Sequence, residues 1–345
     1  MIKQRNKIFC FGELLLRLSP DAEGNWLQQN SMLLFIGGAE LNVATALANW
    51  NIPVKYCSAL PNNYLSSSII KYLQQKNIDP SAIHISGNRI GSYYIQQGKD
   101  LKNAAVIYDR AYSSFAELKP GMIDWDEVLQ DVCWFHFSAI SPALNENSAA
   151  VCLEGIKAAT KNNITISVDL NYRPKLWQYG QTPVNVMPEL VQYCNVVMGN
   201  IWSANSLLGI AVDEEAVTYK TCNKYLQHAK ITSSAIMKKI ANCKLVANTF
   251  RFDKNGTGIE YFTSVFTNNE QFNSAIYNSN NITNKIGSGD CFMAGLIYGI
   301  QQQFTPQQTV NFGTAAAFGK MQEEADASNQ KIEDVNALIK LYDKK

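Results

Sequence analysis

The chain has 345 residues, of which 46% are hydrophobic and 17% charged, and this balance excludes a disordered or fibrous protein. Lysine and arginine number 30 against 29 aspartates and glutamates, so the net charge of +1 predicts neither a nucleic-acid partner nor an anionic membrane surface. No apolar run reaches about 18 residues, so we expect no membrane-spanning helix. The length allows one large α/β domain or two smaller ones.

The eight cysteines form no C-x-x-C pair, and most lie inside apolar runs. We expect them to be small core residues of a cytoplasmic protein, not a zinc site or a disulfide framework. The basic residues before the apolar run 8–11 resemble a secretory signal only briefly, because no cleavage site follows; a buried strand is the better interpretation. The three histidines lack ligand spacing, so no metal site is predicted, and His136 is expected in the core.

Short apolar runs alternate with helical patterns along most of the chain. The runs that predict buried strands are 8–11, 54–60, 134–138, 165–169, 195–199 and 245–249. The patterns that predict helices are 38–49, 64–76, 146–161, 201–208, a long helix from residue 290 and a last amphipathic helix at 332–342. This alternation predicts an α/β fold, with a mostly parallel central sheet flanked by helices on both faces.

Two segments, 13–36 and 87–120, interrupt the alternation. The first contains a polar loop, and the second contains two short strand patterns at 92–96 and 104–108, each flanked by turn residues. We predict that the two segments form one small β lid over the mouth of the sheet, although ordinary surface loops remain the alternative. The predicted α/β core then consists of residues 1–12, 37–86 and 121–345.

The sequence Gly287-Ser288-Gly289-Asp290 lies at the predicted start of a long helix. The free N–H groups and the dipole of a helix N-terminus attract an anion, and glycines let a phosphate approach the backbone. Asp290 would then lie where it can take a proton from an attacking hydroxyl. The alternative for Asp290 is a simple helix cap. Neither the P-loop motif nor the dinucleotide-binding glycine motif is present.

A second glycine-rich stretch, Gly37-Gly38, leads directly into a helix that carries Asn42. A glycine pair favours a ligand packed on bare backbone, and an asparagine offers a donor and an acceptor to a sugar hydroxyl. The alternative is a glycine turn with a capping or buried asparagine.

With both of these motifs, the chain resembles the ribokinase-like (PfkB) family of carbohydrate kinases along essentially its whole length. The matching stretches are G-G-A-E-L-N-V-A from Gly37 and I-G-S-G-D-C-F-M-A-G from Ile286, where Ser288 replaces the usual alanine. The resemblance implies a ribokinase-like fold with a β lid and the use of ATP and Mg²⁺. It also implies that Asp290 is the catalytic base and that residues 287–290 form an anion hole.

Within the family the chain looks most like 2-keto-3-deoxygluconate kinases. Three stretches carry this likeness, namely V-I-Y-D-R ending at Arg110, F-H-F-S-A-I-S-P from Phe135, and V-D-L-N-Y-R-P-K-L-W containing Arg173. It implies a sugar-acid substrate, whose carboxylate the two guanidinium groups would bind. The likeness also implies that Gly37, Gly38, Asn42 and Tyr93 surround the sugar.

The nucleotide half matches the family less well. The resemblance implies nucleotide contacts from Asn200, Thr249, Arg251, Gly256, Gly258 and Asn311. Ser203 stands where the family often has a glutamate, and Asn284 stands where an aspartate is common. These replacements put tight protein binding of magnesium in doubt, but not catalysis, because kinases hold this ion largely through the nucleotide phosphates.

The resemblance therefore implies an ATP-dependent, cytoplasmic kinase that phosphorylates the terminal hydroxyl of a sugar acid. One alternative is a kinase for a neutral sugar such as fructose or ribose, and another is a non-catalytic sugar-binding regulator on the same fold. Because unpaired strand edges attract partners, we also expect a homo-oligomer that forms through the lid.

Overall fold

The computed structural model describes residues 5–20, 24–27, 30–96, 106–212, 218, 221–254 and 258–342. The strands in chain order are β1 (Lys7–Phe11), β2 (Leu15–Ser19), β3 (Leu33–Gly37), β4 (Val54–Cys57), β5 (Ala59–Leu60), β6 (Ile78–Asp79), β7 (His84–Ile85), β8 (Gly91–Tyr94), β9 (Ile107–Asp109), β10 (Val132–Ser138), β11 (Thr165–Asp169), β12 (Val196–Gly199), β13 (Leu245–Asp253), β14 (Ile259–Thr267), β15 (Glu270–Asn273) and β16 (Tyr277–Ser279). The helices are α1 (Ala39–Asn49), α2 (Tyr64–Gln75), α3 (Trp125–Val128), α4 (Glu146–Lys161), α5 (Pro183–Val191), α6 (Ile201–Leu208), α7 (Cys222–Lys239), α8 (Ser288–Gln301), α9 (Pro306–Lys320) and α10 (Ile332–Tyr342).

The central sheet has ten strands within the described ranges, in the order β15-β14-β13-β12-β11-β10-β1-β4-β6, with β16 also paired to β14. The strands from β13 to β6 along this order pair in parallel, whereas β14, β15 and β16 add an antiparallel edge. The predicted α/β fold with a mostly parallel sheet is confirmed. The hairpin of β13 and β14 was not predicted, and β13 runs four residues beyond the predicted strand end, to Asp253.

Both faces of the sheet are covered by helices, as strand β1 shows. Ile8 and Cys10 belong to one buried hydrophobic cluster, which includes residues of α1, α8 and α9. Phe9 and Phe11 belong to a second cluster on the opposite face, which includes residues of α4 and α5. Alternate side chains of a strand point to opposite faces, so a continuous apolar run is what a doubly covered strand requires.

A separate four-stranded sheet has the order β3-β2-β8-β9 and lies within the two segments predicted to form the lid. Strands β2 and β3 pair antiparallel, β2 and β8 pair parallel, and β8 and β9 pair antiparallel. The predicted strand at 92–96 corresponds to β8, and the one at 104–108 overlaps β9, although its first two residues lie outside the described ranges. The boundaries given above for lid and core stay a prediction.

The predicted strand at 54–60 is two strands in the structure. Strand β4 continues the central sheet, while β5 leaves it to pair with β7 in a small two-stranded sheet. The break falls at Ser58, whose hydroxyl accepts a hydrogen bond from the Leu14 amide at 3.1 Å. The side-chain bond therefore connects the end of β4 to the segment that follows β1.

Several smaller expectations can be compared with the described residues. All eight cysteines are free, and six of them are buried. His136 is buried, its Nδ1 lies 3.0 Å from the Ser167 hydroxyl, and burial lowers its pKa to about 3. Among the helices of the described ranges, none is both long and apolar enough to cross a membrane.

Candidate active site

A cleft of about 1120 Å³ lies where the parallel strands of the central sheet end. The segments that follow β1, β11 and β12 line it, together with the start of α8 and residues of the lid strands β8 and β9. Ligands of open α/β sheets bind outside the carboxyl ends of the strands, so the topology alone favours this position. The cleft contains these predicted site residues: Gly38, Asn42, Tyr93, Arg110, Arg173, Asn200, Thr249, Arg251, Gly287, Ser288, Gly289 and Asp290.

Asp290 lies in the first turn of α8 and faces the cleft. The residue that caps this helix is Gly287, without any side-chain bond, so the alternative that Asp290 is a simple helix cap is wrong. The Asn42 side chain donates a hydrogen bond from Nδ2 to Oδ2 of Asp290 at 2.7 Å. Its other amide atom, Oδ1, is buried without a protein hydrogen bond. Asn42 therefore fixes the carboxylate and keeps an acceptor for a ligand hydroxyl.

Burial raises the pKa of Asp290 to about 7. The hydrogen bond from Asn42 lowers this pKa, as does the positive charge of Arg173, whereas the carboxyl groups of Glu40 and Asp326 raise it. A general base acts best when its pKa lies near the working pH, because it is then deprotonated and still basic. The surroundings of Asp290 thus suit a carboxylate that accepts a proton at neutral pH.

Glycine occurs at positions 287 and 289, before Asp290, for two different structural reasons. Gly287 has a φ of +78°, and a Cβ there would lie 1.9 Å from the carbonyl oxygen of Asp326, so both the conformation and the packing require glycine. A Cβ on Gly289 would meet nothing within 4 Å. The first intrahelical bond here runs from the Cys291 amide to the Gly287 carbonyl at 2.9 Å. The Ser288 amide donates to the Lys285 carbonyl at 3.5 Å, which leaves the amides of Gly289 and Asp290 for an anion.

The glycine pair of the front motif is explained by packing within the protein. Gly38 has a φ of +136°, and a Cβ there would lie 2.4 Å from the carbonyl oxygen of Glu13. A Cβ on Gly37 would lie 2.9 Å from Oδ2 of Asp326, and Gly37 does not line the cleft. The expectation that a ligand packs on this bare backbone is therefore wrong for Gly37, because the protein itself fills the space.

Tyr93 projects from the lid strand β8 and is buried. Its hydroxyl donates to Oδ2 of Asp326 at 2.9 Å, and burial raises the pKa of the phenol well above its ordinary value. Asp326 also forms an ion pair with Arg17 of β2, with 2.9 Å between Nε and Oδ1. The lid is thus attached to the loop whose carbonyl packs against Gly287, next to the predicted anion hole.

The two arginines predicted to bind a carboxylate have different surroundings. Arg110 is buried, and its Nε and Nη2 both lie 2.6 Å from Oε2 of Glu13. Arg173 is half-buried and donates from Nη1 to the Tyr172 carbonyl at 3.1 Å. No ion pair of Arg173 occurs within the described part of the chain. Both guanidinium groups border the cleft, but within the described ranges only Arg110 is held in an ion pair, and the charge of Arg173 acts on Asp290 without one.

Only some of the residues predicted to bind the nucleotide lie together at the cleft. Thr249 and Arg251 lie on β13 and border the cleft, and Arg251 lies 3.4 Å from Asp253. Asn200 also borders it, while its side chain caps α6 by accepting from the Ser203 amide at 2.8 Å.

Two of the residues predicted to bind the nucleotide, Asn311 and Gly258, lie outside the cleft lining. Asn311 lies on α9 away from the cleft lining, and its Oδ1 accepts from Gln307 at 2.9 Å. The neighbouring Ala315, Ala316 and Ala317 are fully buried in the core. Gly258 is buried outside the lining, and Gly256 lies outside the described residues.

The side chains at the two positions where the family often has an acid are bonded within the protein. The Ser203 hydroxyl accepts from the Asn200 amide at 2.9 Å, which completes a capping box. Asn284 donates to the Glu324 carbonyl at 2.8 Å and accepts from the Ile286 amide at 2.9 Å. Over the described residues, no group of three or more histidines, cysteines or acids is arranged to hold a metal ion. The residues present do not fit a metal site made by the protein alone.

The cleft residues that the sequence prediction did not name include Glu13, Glu40 and Lys175. Glu13 and Glu40 are buried carboxyl groups, and Glu40 accepts two hydrogen bonds at Oε1 from the amide and hydroxyl of Ser138. Burial raises the pKa of Glu40. A signal for Glu13 was available, because it follows the first predicted strand at the edge where ligands bind. Glu40 gave no comparable signal within its apolar helix.

Comparison with named relatives supports the interpretation of this chain as a kinase. A 2-dehydro-3-deoxygalactonokinase from Haloferax volcanii is 34% identical over 172 residues, or 50% of this chain and 54% of that protein. The chain thus matches about half the length of that relative. A 2-dehydro-3-deoxygluconokinase from Haemophilus influenzae is 25% identical over 305 residues, which cover 85% of this chain and 86% of that one.

Solved structures extend the comparison to nearly the whole chain. The crystal structure of a 2-dehydro-3-deoxygluconokinase from Thermotoga maritima is 32% identical and superimposes with a TM-score of 0.88, covering 97% of this chain and 99% of that one. A ribokinase-like structure from E. coli, in complex with ATP and Mg²⁺, shares the fold at a TM-score of 0.75 and 16% identity, with coverage of 97% and 99%. The model of the pfkB family of carbohydrate kinases matches residues 5–238. This chain is therefore a member of the PfkB family of carbohydrate kinases.

Proposed function

We propose that this carbohydrate kinase transfers the γ-phosphoryl group of ATP to the terminal hydroxyl of 2-keto-3-deoxygluconate or a closely related sugar acid. The observation that carries the proposal is the Asp290 carboxylate, which faces a large cleft from the first turn of α8. Free helix amides and a base with a pKa of about 7 occur together there. Phosphoryl transfer needs this combination of an anion site and a proton acceptor.

The choice of a sugar acid is supported by charge and by relatives. Arg173 presents a guanidinium group without an ion pair among the described residues, and Arg110 presents one that is paired with Glu13. Guanidinium groups match the planar oxygen pair of a carboxylate. The relatives from Thermotoga maritima and Haemophilus influenzae are both named 2-dehydro-3-deoxygluconokinase, which is another name for a kinase of 2-keto-3-deoxygluconate. We propose the same class of substrate for this chain.

In the proposed mechanism, the sugar lies between the lid and the core, with its carboxylate towards Arg110 and Arg173. Asp290 accepts the proton of the terminal hydroxyl as the hydroxyl oxygen attacks the γ-phosphorus of ATP. The bond between the γ-phosphorus and its bridging oxygen breaks, and ADP leaves. The amides of residues 287–290 donate to the equatorial oxygens of the transferring group, where negative charge is held. The lid excludes water, which would otherwise act as the acceptor.

The nucleotide is proposed to lie along β12 and β13, where Asn200, Thr249 and Arg251 border the cleft. Lys254 and Lys285 also border it, and each forms an ion pair at 2.8 Å, with Glu260 and Asp253 respectively. Mg²⁺ would supply charge neutralisation on the phosphates when it is bound. Since the described side chains offer it no acidic cluster, we propose that it is bound mainly through those phosphates.

The test is an ADP-release assay on the purified full chain with ATP, Mg²⁺ and a panel of sugars and sugar acids. We expect turnover with 2-keto-3-deoxygluconate to exceed turnover with fructose and ribose. Higher kcat/KM with a neutral sugar would make the chain a neutral-sugar kinase. Absence of ADP release with every sugar, combined with sugar binding in calorimetry, would favour the non-catalytic regulator.

We further propose that the lid forms a contact between two copies of the chain. Strand β3 is an edge strand of the lid sheet, and Leu33 and Leu34 are 43% and 52% exposed. Ile107 on the other edge strand, β9, is 62% exposed. Open strand edges with exposed apolar side chains favour pairing with a second chain. Since all eight thiols are free, we also propose a cytoplasmic, reducing location.

A further inference from the structure

We propose that Glu13 determines the charge selectivity of the sugar half of the cleft. It neutralises Arg110, so that Arg173 is the guanidinium group whose positive charge lets the enzyme distinguish an acid from a neutral sugar. This inference rests on the proposed function, and it assigns different roles to Arg110 and Arg173. Glu13 is in this view a positioning residue, because it acts on the substrate through Arg110.

The first observation is the tight, buried contact between the two side chains. Their exposed fractions are 1% for Glu13 and 5% for Arg110, and Oε2 of Glu13 lies 2.6 Å from both Nε and Nη2 of the guanidinium. The Ser113 hydroxyl donates to the other carboxylate oxygen at 2.5 Å. A Cβ on Gly91 would lie 2.3 Å from that oxygen, so the lid strand β8 leaves room for the carboxylate. The carboxylate of Glu13 is therefore held by the turn that contains Arg110 and Ser113, in a space that Gly91 leaves open.

The second observation concerns the side of the Arg110 guanidinium that Glu13 does not contact. Nε and Nη2 of Arg110 face Glu13, whereas Nη1 makes no hydrogen bond to any residue that the structure describes. Arg110 borders the cleft, so Nη1 remains as a directed donor for a ligand oxygen. Because Glu13 compensates its charge at 2.6 Å, the Arg110 guanidinium can orient a ligand through a hydrogen bond but exerts little net electrostatic field on it.

The third observation is the contrast with Arg173. Within the described ranges Arg173 forms no ion pair with an acid, and its side chain donates to the backbone carbonyl of Tyr172. An uncompensated charge close to a ligand carboxylate favours the acid by Coulomb attraction, whereas a neutral pair does not. The lining also contains the charged residues Glu40, Asp169, Lys175, Arg251, Asp253, Lys254, Glu260, Lys285 and Asp290, and they remain unchanged in the experiment below.

The experiment compares two substrates that differ only in the carboxylate, namely 2-keto-3-deoxygluconate and 3-deoxyfructose, in which a hydroxymethyl group replaces it. The measured quantity is the ratio of kcat/KM for the acid to kcat/KM for the neutral sugar. We expect Glu13→Gln to raise this ratio on the order of tenfold, because Arg110 becomes an uncompensated cation. We expect Arg110→Gln to lower it on the order of tenfold, because Glu13 then repels the acid.

The double variant Glu13→Gln/Arg110→Gln is the decisive measurement. Both side chains are then neutral, so the ratio should return to within about threefold of the wild-type ratio while both kcat/KM values fall. This variant also keeps the proposal testable if a single variant, with one buried charge left unpaired, fails to fold. Ser113→Ala is the matched control, because it removes a hydrogen bond to Glu13 without changing any charge; its ratio should stay within about twofold of wild type.

Two results would overturn the inference. If Glu13→Gln lowers kcat/KM equally for both sugars, Glu13 contacts the sugar directly or acts only on stability. If the double variant keeps the low ratio of Arg110→Gln, the charge of Arg110 itself selects the acid. Failure of the proposed function would give a different result, because the wild-type enzyme would then show no preference for the acid. Without that preference there would be no selectivity for Glu13 to set.

Discussion

Asp290 is the residue whose surroundings are most unusual for its type. It is 9% exposed, it receives a hydrogen bond from Asn42, and its pKa is raised to about 7. Burial disfavours its charged form, whereas the amide of Asn42 and the guanidinium of Arg173 favour it. The balance leaves a carboxylate that is deprotonated at slightly alkaline pH and still basic enough to take a proton.

The change Asp290→Asn removes this base without changing the volume of the side chain. We expect kcat to fall by about 10²–10⁴-fold, while calorimetric binding of ATP and sugar is kept. The folded pKa lies above the ordinary value, so the carboxyl stabilises the fold at low pH and loses that contribution as the pH rises through about 7. Asp290→Asn should therefore melt above wild type at pH 8, with a gain that shrinks towards about pH 4. Near-normal turnover would remove the role of Asp290 as a base.

The pH profile gives an independent check on the same carboxylate. We expect kcat/KM to fall as the pH drops below about 7, because Asp290 must be deprotonated to accept a proton. In Asn42→Ala the bond that favours the charged form is lost, so this acidic limb should move to higher pH. Initial rates between pH 5 and pH 9 measure both. A limb that stays in place in Asn42→Ala would argue against a direct link between the two side chains.

At the scale of single elements, the N-terminus of α8 combines two glycines with different tasks. Gly287 allows the left-handed turn and the contact with Asp326, whereas Gly289 keeps the space in front of the helix open. The helix itself is buried along nearly its whole length, so its start cannot move to relieve a clash. The position of the free amides therefore depends on Gly287, and access to them depends on Gly289.

Replacing each glycine with alanine should show that Gly287 is needed for stability and Gly289 for binding of ATP. We expect Gly287→Ala to lose about 2 kcal/mol or more of unfolding free energy, from the positive φ and the clash with the Asp326 carbonyl. Gly289→Ala should fold with nearly the wild-type melting temperature, because its Cβ meets no protein atom, but should raise KM for ATP. Thermal unfolding and steady-state kinetics of both variants provide the measurement. Equal losses of stability would contradict the distinction.

At the scale of the whole molecule, the lid is attached to the core by a desolvated ion pair. The exposed fractions of the Arg17 and Asp326 side chains are 0% and 1%, and the guanidinium also lies 3.7 Å from the centre of the Phe35 ring. Breaking such a pair by removing one partner leaves a buried charge without compensation. We infer that the part of the lid around β2 is fixed to the core in the unliganded enzyme.

The change Arg17→Met should therefore cost about 3–5 kcal/mol of unfolding free energy. The matched control is Arg89→Met, which breaks the ion pair of Arg89 with Asp109 in the same lid, where the side chains are 34% and 47% exposed. That change should cost no more than about 1 kcal/mol. Urea unfolding of the two variants measures the difference. A small effect of Arg17→Met would mean that the lid is not held by this pair.

The association of two copies can be tested on the exposed face of the lid. We expect Leu34→Asp, which puts a charge on a 52% exposed leucine of β3, to shift the chain from dimer to monomer. Light scattering after size-exclusion chromatography measures the mass. Leu27→Asp is a useful control, because Leu27 is 92% exposed but lies outside the lid strands. A monomeric wild-type chain would contradict the proposed association.

The sequence by itself determined the fold class and the position of Asp290 in the first turn of a glycine-flanked helix. Periodicity is a local property, so the buried strands at 8–11 and 165–169 and the helix after Gly287 follow from residues close together in the chain. The resemblance to PfkB kinases, carried by two short motifs, agrees with the family match over residues 5–238. The local pattern did not reveal the β13–β14 hairpin, whose pairing depends on a distant edge of the sheet.

Only the tertiary structure decided which groups compensate one another. Glu13 and Arg110 are 97 residues apart, and Arg17 and Asp326 are 309 apart, so no spacing in the sequence could pair them. The same holds for the bond between Asn42 and Asp290, across 248 residues, and for the carbonyl of Asp326 that excludes a side chain at Gly287. Charge compensation depends on distances of a few ångström in space. Those distances arise only when the lid and the α/β core fold against each other.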